Sequence, residues 1–92
     1  FDKLPKMVHS LSKGVWIVGG GVLMRDLADK LKVPDLSSDS NLSDWILKKI
    51  GHIPTVDHRL KTHCLEFNVR RIRRGKVFEV LITPETVSVP RR

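Results

Sequence analysis

Residues 41–54 read NLSDWILKKIGHIP, and this stretch carries a complete set of helix signals. Ser40 or Asn41 is placed to cap the first turn, and Asp44 adds a carboxylate where the helix dipole favours one. Leu42, Trp45, Ile46 and Ile50 recur at helical spacing and form one apolar stripe. Lys48 and Lys49 occupy the last turn, Gly51 suits a left-handed C′ position, and Pro54 prevents continuation. The spacing predicts a helix over Leu42–Ile50 that buries one face.

Upstream, Leu23, Leu27 and Leu31 recur at i, i+4 and i+8 with Ala28 beside them, which predicts a second helix over Met24–Lys32 closed by Pro34. Before it, Val15–Val18 is a short β-type run that ends in Gly19, Gly20 and Gly21; this run predicts a tight turn in which glycine takes positive φ. Downstream, Leu65, Phe67 and Val69 alternate with polar residues, as do Phe78, Val80 and Ile82 with theirs. Arg73-Arg74-Gly75-Lys76 joins them as a hairpin turn, and Pro84 ends the second strand. Strands are therefore expected at Val15–Val18, Arg59–Lys61, Leu65–Ile72 and Val77–Thr83.

The fold class is α+β: an antiparallel sheet of about four strands with two helices on one face. The expected core is Trp16, Val18, Leu23, Leu27, Leu31, Leu42, Trp45, Ile46, Ile50, Leu65, Phe67, Val69, Phe78, Val80 and Ile82. Residues 1–13 read as a lead-in segment, 14–84 as the domain, and 85–92 as a flexible basic tail. Phe1 in place of an initiator Met suggests a piece cut from a longer protein, with a processed terminus as the alternative. The longest apolar run, Val15–Met24, is interrupted by three glycines and is too short to span a bilayer, which takes roughly 20 residues.

The net charge of +7 is unevenly placed. Residues 1–58 hold eight Lys/Arg against seven Asp, whereas residues 59–92 hold nine against three Glu. Arg70, Arg71, Arg73 and Arg74 surround one turn and are the candidate anion- or partner-binding residues; Glu66 and Glu79 are expected to pair with Arg70, Arg71 or Lys76. Phosphate binding by such a cluster is salt-dependent. Single-strand binders usually add exposed aromatics, and here Trp16, Trp45, Phe67 and Phe78 all fall on expected core faces, so nucleic acid is not the favoured partner. Gly19, Gly20 and Gly21 are the candidate cofactor-binding residues, as a phosphate cradle, but neither the GxGxxG nor the P-loop spacing is present.

His9, His52, His58, His63 and Cys64 lack the CxxC and HxxxH spacings of a structural zinc site. Cys64 is expected as a partly buried thiol, and no paired carboxylates are placed for acid–base work. No catalytic residue and no metal ligand is assigned, and the domain is expected not to be an enzyme.

The segment Val18-Gly19-Gly20-Gly21-Val22-Leu23-Met24-Arg25-Asp26-Leu27-Ala28-Asp29-Lys30-Leu31, the helix Leu42–Ile50 with Gly51-His52-Ile53-Pro54, and Leu65-Glu66-Phe67-Asn68-Val69 with Arg71-Ile72 together resemble the CorC/HlyC transporter-associated domain in order and spacing. Gly19 stands where that family has Asp, and Asp57 and His63 or Cys64 stand where it has turn glycines. The resemblance implies a non-catalytic regulatory or accessory domain, on the cytoplasmic face of the cell membrane, within a magnesium/cobalt efflux or haemolysin-like protein. Its partners would be the transmembrane and CBS domains of the parent protein, and it would act by docking or effector binding. The fold so implied is similar to a subdomain of FAD-binding oxidases, which brings in FAD or an adenine nucleotide by analogy; no flavin-specific residue is evident. Two alternatives stay open: a nucleic-acid-binding module using Arg70–Arg74, and a flavin- or nucleotide-binding domain. A homodimer through a strand edge or the basic tail is also open.

Overall fold

Strand pairing in the computed structural model, which describes residues 4–84, begins earlier than the apolar runs suggest. Val8–Ser12 (β1) pairs antiparallel with Val15–Gly19 (β2) through a two-residue turn whose Gly14 has φ +79°. Two helices follow, Met24–Leu31 (α1) and Leu42–Ile50 (α2), with a short 3₁₀ turn over Pro34–Leu36 between them. Arg59–Thr62 (β3), Leu65–Arg73 (β4) and Lys76–Pro84 (β5) then form a meander whose last strand inserts beside β2. The sheet has five antiparallel strands in the order β1-β2-β5-β4-β3. The α+β expectation of two helices on an antiparallel sheet holds. The additional strand, β1, comes from the segment read as a lead-in: its burial pattern is mostly exposed, so it lacked the alternation that marks a strand.

Cross-strand register sorts the side chains. Val18, Val80 and Val69 form one row facing the helices, and Trp16, Ile82, Phe67 and Leu60 form the next. These rows meet Met24, Leu27 and Ala28 of α1, Leu36, and Leu42, Trp45 and Ile46 of α2 in one core. Ile17, Leu81 and Asn68 lie on the opposite, helix-free face.

Most of the expected core is buried, and Trp16, Leu31, Ile50 and Leu65 pack against it half-buried. Two members are corrected. Leu23 is the residue before α1, in extended conformation and half-buried, while its neighbours Val22 and Met24 go inside. Phe78 also stands outside the core. Register shifts between Val69 and Ile72 leave it without a ladder partner on β4, and the resulting bulge puts Val77 inward in its place while Val80 stays buried as expected. Residues 85–92, the expected tail, lie outside the described residues.

Candidate functional site

The three glycines form a junction rather than a turn of positive φ; among the described glycines only Gly14, Gly51 and Gly75 have that sign. What Gly19, Gly20 and Gly21 provide is close backbone approach. A Cβ on Gly19 would stand 2.2 Å from the Pro5 carbonyl oxygen, and one on Gly20 would stand 1.9 Å from that of Val77. On Gly21 it would meet the Leu4 carbonyl oxygen at 2.7 Å.

Their N–H groups donate to the carbonyls of Met7 (2.9 Å), Phe78 (3.0 Å) and Pro5 (2.8 Å) respectively. The turn also supplies acceptors for the start of α2: Leu42 N–H donates to Val22 C=O at 2.8 Å and Ser43 N–H to Gly20 C=O at 2.9 Å. Asn41 completes the cap by accepting from Asp44 N–H at 2.8 Å. Helix N-termini bind anions through unpaired N–H groups, and here those groups are already paired. The glycine run therefore does not fit a flavin or nucleotide phosphate, and no chemistry is derived through such a group.

Ser43, fully buried, ties the same junction to the sheet: Val77 N–H donates to its Oγ at 2.9 Å. Sequence reading passed over Ser43, because nothing local distinguishes a helix serine that accepts from a strand 34 residues away.

Beside the junction, a groove of about 670 Å³ runs between the N-terminal segment and α1, over Val8 and Val22 and flanked by Lys6, Asp26, Asp29 and Lys30. Its two carboxylates and two ammonium groups balance. No signal local to α1 announced it, because its other wall is the segment leading into β1.

The second candidate region is the tip of β4 and β5. Arg74 (φ 52°) and Gly75 (φ 77°) form the two-residue turn, both with positive φ as a type I′ hairpin requires. Arg70, Arg71, Arg73, Arg74 and Lys76 are all exposed. The Arg73 guanidinium lies 5.4 Å from the Phe78 ring centroid, which covers an aromatic that would otherwise be open to stacking. Glu66 does not pair with these arginines as expected; it faces Arg59 at 3.5 Å, across the β3–β4 ladder. Glu79 is the register partner of Arg71.

The histidines are dispersed. His52 and His58 meet edge to face with centroids 6.3 Å apart, while His63 lies against Trp45 and has Nδ1 2.9 Å from Thr62 Oγ1. Cys64 is exposed rather than partly buried: it shares the β3–β4 turn with His63, both at positive φ. Among the described residues, no three His, Cys, Asp or Glu side chains converge as a metal site would need. No helix of the described residues is long and apolar enough to cross a membrane.

Comparison with known proteins gives a consistent likeness. The family model of the transporter associated domain, CorC_HlyC, matches residues 9–86. The transporter associated domain CorC_HlyC from Nitrosomonas europaea superposes with a TM-score of 0.75 at 19% identity, over 90% of this chain and 99% of that one. A putative Mg2+ and Co2+ transporter (CorC) associated region from Neisseria meningitidis gives 0.75 at 17% identity, over 84% and 96%. The transporter associated domain from a CBS domain protein of Porphyromonas gingivalis gives 0.71 at 20% identity, over 84% and 95%. At these identities the structural likeness is one of fold. No curated protein sequence matches the chain.

Proposed function

The chain belongs to the CorC_HlyC transporter associated domain family, and from that premise we propose that it is a non-catalytic regulatory or accessory domain of a cation-transport membrane protein. The observation that carries this reading is the extent of the family match: residues 9–86 take in the glycine junction, both helices and all three strands of the meander. The Neisseria relative is described as a region associated with a magnesium and cobalt transporter, and the Porphyromonas relative comes from a CBS domain protein. By that analogy the domain works at the cytoplasmic face of the membrane, beside CBS and transmembrane domains of its own protein.

The mode of action is docking. The glycine junction and the first turn of α2 are satisfied internally, which leaves exposed side chains as the means of recognition. A domain that contacts one conformation of its neighbours more favourably than another shifts their equilibrium by that difference.

The coding sequence upstream of Phe1 tests the reading. Several apolar spans of roughly 20 residues followed by a two-repeat α/β module are expected; a start codon a few residues before Phe1 would overturn it.

A further inference from the structure

The loop that leaves α2 lies beside the basic hairpin, and two of its exposed residues are large and apolar. Pro54 is buried, whereas Ile53 and Val56 are 60% and 53% exposed. A Cβ on Gly75 would stand 3.3 Å from Ile53 Cδ1, which puts the isoleucine against the β4–β5 turn. The same loop is fastened along β4: Asp57 N–H donates to Val69 C=O at 2.7 Å, and Val69 N–H to His58 C=O at 2.9 Å. This end of the domain therefore presents Ile53 against the turn that carries Arg73, Arg74 and Lys76, with Arg70 and Arg71 further along β4 and Val56 exposed three residues on in the same loop. Glu79 lies opposite Arg71 and Asp57 is bonded to Val69, so the seven charged groups sum to +3.

We infer that this end is a docking surface for an anionic lipid bilayer. Cations close to such a surface are attracted within about a Debye length, roughly 8–10 Å in physiological salt. Apolar residues among them can enter the headgroup boundary, the combination that peripheral membrane surfaces use. A two-residue hairpin tip with exposed cations and, among the described residues, no pocket lined by them suits a broad, deformable surface better than an inserted peptide. Nucleic acid is the weaker match: it would use the cations but leave Ile53 and Val56 without a role, and the aromatic at hand, Phe78, is already covered by Arg73. The inference requires only the charge and shape of this end, and stands or falls separately from the transporter reading.

The test is co-sedimentation of the 92-residue chain with phosphatidylcholine vesicles, with and without phosphatidylserine, at low salt and at about 0.5 M salt. Binding is expected only with phosphatidylserine and is expected to fall at high salt. Neutralising three cations (Arg70→Gln, Arg73→Gln, Lys76→Gln) should weaken it by about fivefold per residue. Ile53→Ser with Val56→Ser, both at exposed positions, should weaken it severalfold while leaving the salt dependence intact. Absence of phosphatidylserine-dependent binding overturns the inference. So does full binding by the three-cation variant, which would place the contact elsewhere on the chain. Unchanged binding by the apolar variant, accompanied by equal affinity for DNA, would reduce the effect to general polyanion attraction and overturn it as well.

Discussion

Gly20 has no space for a side chain, since its Cβ would fall 1.9 Å from the Val77 carbonyl oxygen, which is backbone and cannot swing aside. Gly20→Ala is expected to cost about 3 kcal/mol or more, at the upper end of overpacking effects, or to prevent folding. Gly51→Ala meets nothing within 4 Å but sits at φ +88°, so about 1–2 kcal/mol is expected there. Urea denaturation of both variants separates the two causes. Cys64 gives the opposite sign. It is exposed, at φ 60°, in a turn where glycine would relieve the left-handed strain, and Cys64→Gly should stabilise by about 0.5–1 kcal/mol. An unchanged or lowered midpoint would contradict this. The glycine run and Gly51 stand out in the sequence itself, whereas Asp57 and His63 or Cys64 stand out only against the family resemblance, which has turn glycines there. The positive φ at Asp57 (73°), His63 (54°) and Cys64 (60°) falls where the family resemblance expects turn glycines, and no local signal in this sequence announces it. The reason for the glycine run was not legible either, because the carbonyls that crowd it belong to residues 4–5 and 77, which are distant along the chain.

At the scale of elements, α2 was read from the sequence with its ends in place, because cap, stripe and stop signals all agree. Asn41→Ala should cost about 1 kcal/mol through loss of the bond to Asp44 N–H. Ser43→Ala should cost about 1–3 kcal/mol, since it leaves the Val77 N–H buried without its acceptor. A cost near zero in thermal melts would show that the α2–β5 tie contributes nothing. β1 was missed for a physical reason: an edge strand with one half-buried residue shows no alternation. Its role is nevertheless structural, because the segment entering it accepts from Gly19 and Gly21. Removing residues 1–13 should therefore lower Tm sharply or abolish the cooperative transition, and should leave β2 as a bare edge prone to association. A truncated chain that melts like the full one would contradict the five-stranded frame. Phe78 shows the complementary failure. Period-2 reading assumes an unbroken pleat, and a bulge in β4 and β5 shifts which residues face inward.

For the molecule as a whole, the sheet and helices hold one another through a single core, and five exposed cations cluster on the β4–β5 hairpin. The order of elements carried the family resemblance, and the match over residues 9–86 agrees with it. The basic hairpin was also legible, as a charge run around a glycine. The company it keeps was not, because Ile53 reaches the turn only through the path of the loop after α2. The proposed function is that of a domain that tunes or assembles a cation transporter. The most direct measurement is divalent-cation efflux, together with complex assembly, in cells making the intact parent protein and in cells making the same protein without residues 8–84. The account predicts altered efflux, altered response to cation load, or defective assembly when the domain is removed; transport, regulation and assembly all unchanged would contradict it.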